Sequence, residues 1–62
     1  MRMRVQTKIG LLVEARITSD GNQFFVDGRI EEGAWFVYAT CPTIADAFKA
    51  MQEFITGESK DK

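Results

Sequence analysis

Few side chains in this 62-residue sequence are equipped to carry a reaction. There is no His, and the single Cys, Cys41, therefore lacks the usual base for nucleophilic catalysis. A buried structural thiol is the better reading of a Cys at a strand end. One thiol with scattered carboxylates is also a poor donor set for a transition metal. Two carboxylate pairings are conceivable, Glu14 with Asp27 and Glu31 with Glu32. General acid–base work requires such groups in a shaped pocket, and a flat sheet or a hairpin tip supplies none. The glycines at 10, 21, 28, 33 and 57 fit no phosphate-binding pattern. The expectation is a non-enzymatic protein with no cofactor and no metal.

What remains is chemistry of recognition, in aromatic and cationic side chains. Phe25, Phe36 and Tyr38 alternate with apolar positions, and Arg16 and Arg29 stand near them. With Leu12 they are expected to share the water-facing side of a sheet. Exposed aromatic clusters mark contact surfaces, and aromatic residues and Arg dominate protein interfaces. The same residues, joined by Arg2, Arg4 and Lys8, also suit a stacking platform for single-stranded nucleic acid. Glu14 and Asp27 in the same patch oppose a phosphate-tracking groove, so a protein partner is favoured.

The elements that position these residues follow from hydrophobic periodicity. From Met3 to Thr18 apolar and polar residues alternate, with Met3, Val5, Ile9, Leu11, Val13, Ala15 and Ile17 on one side. Period two is the mark of a strand with one dry face. The stretch is far longer than a typical strand of about five or six residues. Asp20-Gly21 then predicts a two-residue hairpin loop, setting Ile17 opposite Phe24, Ala15 opposite Val26 and Val13 opposite Gly28. A second turn at Glu32-Gly33 leads into Ala34–Thr40, with Trp35, Val37, Ala39 and Cys41 on the dry face. A three-residue loop there would put Phe36 and Tyr38 on the dry face instead. Gly28, set in a bulky row, leaves room for a close helix approach or marks a bulge.

Pro42 breaks the last strand. Thr43 is the expected N-cap, and Ile44, Ala47, Phe48, Met51, Phe54 and Ile55 recur at helical spacing. Gly57 suits a C-cap, and Glu58 to Lys62 reads as a disordered tail. The predicted fold is α+β: a three-stranded antiparallel sheet in β-β-β-α order, with the helix packed on one face. Residues 1–57 make a single domain and 58–62 the tail. The expected core brings Ile44, Phe48, Met51, Phe54 and Ile55 onto Leu11, Val13, Ile17, Phe24, Val26, Trp35 and Val37.

In this arrangement residues 1–9 overhang the hairpin with Met3, Val5 and Ile9 still apolar. An unpaired strand is a template for another chain, so this segment is the expected dimerisation strand of a homodimer. The alternative is a sharp bend at Gly10 that folds it back on its own sheet. A chain this small buries only about 60% of its unfolded surface, and partners are a usual aid to stability.

Formal net charge is −1, unevenly placed. Residues 1–30 carry five basic and three acidic residues, and residues 31–62 carry three basic and six acidic ones. No apolar run is long enough for a signal peptide or the roughly 20 residues of a membrane span. A free Cys with no targeting segment fits a reducing, cytoplasmic compartment. The layout, with its helix start Thr43-Ile44-Ala45-Asp46-Ala47-Phe48, is similar in outline to the three-stranded-sheet-plus-helix binding domains of the plant AP2, phage-integrase arm and HicB-like antitoxin types. That resemblance implies a regulator that reads nucleic acid with its sheet. The AP2 and integrase sheets are strongly basic, and this one is not. The expected role is a small adaptor or inhibitor-type regulator, of a kind suited to a phage or mobile element, bound to itself and to an unidentified protein.

Overall fold

The computed structural model describes residues 2–59. Its elements are β1 (Arg2–Gln6), β2 (Leu12–Ser19), β3 (Phe24–Ile30), β4 (Phe36–Cys41) and α1 (Ile44–Ser59). The fold is α+β, with an antiparallel sheet and one helix laid on it, but the sheet has four strands rather than three. Their spatial order is β1-β2-β3-β4, so β1 and β4 are the edges.

The fourth strand is the expected overhang, folded back. The chain reverses over Thr7–Leu11, where Gly10 takes a φ of 90° that suits a residue without Cβ. Thr7 organises the turn: its N–H donates to the Leu11 carbonyl at 2.8 Å, and its hydroxyl accepts from the Leu11 N–H at 3.0 Å. β1 then pairs with β2, Val5 opposite Val13 and Met3 opposite Ala15. The two residue numbers of each pair sum to an even value, so odd-numbered residues meet odd-numbered ones. Alternation therefore runs through the turn without a break, and period two cannot distinguish one long strand from this hairpin. Ile9, expected on the dry face, sits at the turn and is 74% exposed.

The hairpin of β2 and β3 keeps the expected faces but slides by two residues. Ser19 is opposite Phe24, Ile17 opposite Val26, Ala15 opposite Gly28 and Val13 opposite Ile30. The loop is Asp20–Gln23 rather than Asp20-Gly21. One Asp20 carboxylate oxygen accepts from the Asn22 and Gln23 N–H groups at 2.9 and 3.0 Å, which stabilises the longer turn. A slip of two leaves every side chain on its own face, whereas a slip of one would invert them all.

β4 departs further. Its C-terminal half is in the expected phase, with Ala39 opposite Val26 and Cys41 opposite Phe24. A bulge then intervenes: Val37 lies opposite Asp27 and Phe36 opposite Gly28, leaving Tyr38 as the extra residue. The phase flips there. Phe36 and Tyr38, expected on the open face, turn to the helix side, while Trp35 and Val37 leave it. The turn also moves by one residue: Ile30 accepts from the Gly33 N–H at 3.1 Å, so Glu31 and Glu32 form its centre.

The helix begins as expected, with the Thr43 hydroxyl accepting from the Asp46 N–H at 3.1 Å. It does not stop at Gly57 but continues to Ser59. The first two residues of the expected tail, Glu58 and Ser59, thus belong to the helix, and Lys60 to Lys62 lie outside the described residues. The buried core is Val13, Ala15, Val26, Cys41, Ala47, Met51, Phe54 and Ile55, with Met3, Val5, Ile17, Phe24 and Ile30 packed against it. Leu11, Ile44 and Phe48, expected inside, remain more than a third exposed. Gly28 sets the closest approach, because a Cβ there would meet Phe54 Cζ at 2.6 Å. The Phe54 ring thus rests, by its Cζ end, against the one described strand position with no side chain. Phe36 meets it edge-on at 5.9 Å between centroids, and Tyr38 lies tilted against it at 4.9 Å. Of the two expectations for Gly28 the close helix approach holds, whereas the bulge lies between Val26 and Asp27, with its extra residue on β4.

Candidate interaction surface

The face of the sheet turned away from α1 is organised by ion pairs. Antiparallel register sets Arg16 opposite Arg2 on one side and Asp27 on the other, with Glu14 opposite Arg4 and Arg29. Acid and base therefore interleave across β1, β2 and β3. Glu14 receives Arg29 Nε at 2.7 Å on one oxygen and Arg2 at 3.2 Å on the other. Asp27 accepts from Arg16 Nε at 3.2 Å and from the Thr18 hydroxyl at 3.1 Å. Hydrogen bonds to a charged acceptor are among the stronger ones.

Glu14 is only 2% exposed although no helix covers this face. Its cover is the guanidinium groups themselves, together with Trp35. The indole ring has Arg16 at 4.1 Å, Arg29 at 4.6 Å and Arg2 at 5.7 Å from its centroid. Three strands thus each send one cation to a single ring. Cations over an indole face are attracted by its quadrupole. The bulge in β4 and the turn at Glu31-Glu32 make this possible, because they rotate Trp35 out of the helix side.

The hydrogen bond from Arg29, aided by its charge and by Arg2, holds the Glu14 carboxyl below its ordinary range. An ionised carboxylate with two guanidinium partners is a structural counter-ion, not a proton donor or acceptor in waiting. The two carboxylates of the second pairing point to different partners. Glu31 accepts from the Leu12 N–H, and Glu32 lies 4.0 Å from Arg4. Among the described residues no three His, Cys, Asp or Glu side chains gather as a metal site. No described helix is long and apolar enough to cross a membrane.

The expected surface residues divide into three groups. Arg16, Arg29, Leu12 and Phe25 do share the open face, with Arg2 and Arg4 beside them. Phe36 and Tyr38 lie on the other side, against Phe54. Met3 and Val5 are half-buried under the helix, paired through β1 within the same chain, and Ile9 and Lys8 occupy the Thr7–Leu11 turn. The residue missed was Trp35, assigned to the core because strict alternation carries it there. One available signal was the count of long cationic side chains at even positions 2, 4 and 16, which leaves a flat aromatic as their natural cover. Compared with known protein families, curated proteins and solved structures, the chain matches none.

Proposed function

We propose that this protein is a non-enzymatic interaction module, of adaptor or inhibitor type, that binds another protein through the Trp35 face of its sheet. One observation carries the reading: Trp35, half-buried, is encircled by three guanidinium groups that Glu14 and Asp27 hold in place. Trp and Arg are the residues most enriched at energetic centres of protein interfaces. Anchors already fixed before binding lose less rotamer freedom on association. The outer guanidinium of Arg2 and part of Arg16 stay exposed, their side chains 60% and 41% accessible. They suit carboxylates or carbonyls at the rim of a partner.

A second reading keeps the same face but gives it single-stranded nucleic acid, stacked on Trp35 beside Arg2, Arg4 and Lys8. The presence of an indole among cations favours it. The two internal carboxylates weigh against it, since they neutralise much of the charge that would track phosphates.

Affinity capture with the wild-type protein and with Trp35→Ala tests the first reading, with oligonucleotide anisotropy at low and moderate salt beside it. A partner retained by the wild type and lost by Trp35→Ala supports a protein-binding face. Oligonucleotide binding that weakens steeply with salt and vanishes in Trp35→Ala would hand the face to nucleic acid. A binding profile indifferent to Trp35 overturns both.

A further inference from the structure

The two edges of the sheet differ in how they are protected. β1 reads Arg2-Met3-Arg4-Val5-Gln6, and a copy laid antiparallel against it would set arginine near arginine. Charged residues on an edge are a known guard against strand addition. β4 reads Phe36-Val37-Tyr38-Ala39-Thr40-Cys41 and holds no charge at all. Its side chains are open on both faces: Val37 is 60% exposed beside the open face, and Phe36 and Tyr38 are 44% and 46% exposed at the helix side. The bulge at Tyr38 adds twist to this edge but brings neither a charge nor a proline into it.

We propose that β4 is a self-association edge, on which a second copy of this chain pairs its own Phe36–Cys41 strand in antiparallel sense. Two-fold symmetry is the commonest form of homo-oligomer and needs a patch complementary to itself. An uncharged strand meets that condition in any antiparallel register, whereas β1 does not. The copy's aromatic rings would extend the cluster of Phe36, Tyr38 and Phe54 across the joint and cover its exposed flanks. The result is a continuous eight-stranded sheet with a helix on each half, and it moves the expected dimer contact from the first strand to the last. The Trp35 faces stay open in this dimer, so the inference stands or falls apart from the proposed binding partner.

Sedimentation velocity of the full chain over a wide concentration series reads the outcome. The expected result is a monomer passing to a dimer as concentration rises. Val37→Lys and Thr40→Lys, whose side chains avoid the core, should each weaken that dimer by about tenfold or more, since every copy brings its own charge to the joint. Gln6→Lys on β1 should leave it unchanged. Circular dichroism establishes that each variant is folded. Hydrogen exchange on the wild type supplies the second measurement, with β4 amides expected to slow as concentration rises. A chain that stays monomeric to millimolar concentration overturns the proposal. So does a dimer insensitive to both β4 substitutions, or one whose β4 amides exchange at the same rate throughout.

Discussion

The two faces of one sheet reach low solvent exposure by opposite means. The helix side does so by apolar shape, with Phe54 seated on Gly28 and flanked by Phe36 and Tyr38. The open side does so by charge, with Glu14 and Asp27 sheltered under arginines and one indole. Apolar packing tolerates neither gaps nor excess volume. An ion-pair lattice depends instead on each partner staying in place, because a lone buried charge is costly. The difference teaches how a chain with one helix can have two ordered faces. It also explains why, of the two sheet faces, the charged one is left open to solvent while α1 lies across the other.

Substitutions on the helix side should give the largest effects. Phe54→Ala removes the ring on which the contact is built and should cost about 3–5 kcal/mol, close to the whole stability of a domain this small. Gly28→Ala adds a methyl group where the ring now lies and should cost about 1–3 kcal/mol by overpacking. Chemical denaturation of the two single variants and the double variant measures their coupling. In the double variant the methyl group enters the space left by the ring, so its cost should fall well below the sum of the two. Additive losses would mean that Gly28 and Phe54 do not form one unit.

Acid should act on the other face. The Glu14 carboxyl is held below its ordinary range, first by its hydrogen bond from Arg29. A carboxylate with a depressed folded pKa contributes stability that is complete above its unfolded value, about 4.3 for Glu, and lost as pH falls through the folded one. Asp20, pulled down by the Asn22 and Gln23 N–H groups, adds to the same acid limb. Urea midpoints measured from pH 7 downward should therefore fall below about pH 4.3. Glu14→Gln should lower the midpoint at pH 7 and flatten the limb, leaving the part due to Asp20. An unchanged acid limb in Glu14→Gln would show that the Glu14 carboxylate draws no stability from Arg29 and Arg2.

How much of this was legible depends on what parity preserves. The faces of residues 12–30 were readable, because the loop from Asp20 to Gln23 changes the register by two and leaves every side chain where alternation puts it. The helix was readable from Thr43 through Ile55, since its N-cap and apolar spacing are local properties. The extra strand was not, because the Thr7–Leu11 turn keeps odd residues on the dry face on both its sides. β4 was half readable: the bulge at Tyr38 inverts everything before it, and nothing in the residues of β4 themselves marks it. Trp35 was lost with that inversion, and with it the centre of the candidate site.

The smallest expected effect lies in the turn that delivers Trp35. Glu31 and Glu32 have φ values of 55° and 59°, in the left-handed region that favours Gly or Asn. Neither Glu is there for backbone comfort. Glu31 has a compensating contact, since its carboxylate accepts from the Leu12 N–H at the start of β2. Glu32 has only the long approach of Arg4 at 4.0 Å, between side chains that are both 64% exposed, which is worth little in water. Glu32→Asn should therefore raise stability by up to about 1 kcal/mol, as local strain is relieved and no significant contact is lost. Glu31→Asn relieves similar strain but loses the side-chain bond to β2, keeping only the backbone bond from the residue 31 N–H to the Leu12 carbonyl, so it should gain less or lose. Denaturant midpoints of the two variants decide the matter. If Glu31→Asn gains as much as Glu32→Asn, the Glu31 carboxylate does not hold the turn, and the placement of Trp35 must rest on the backbone bond to Leu12 and on the arginines beneath the ring.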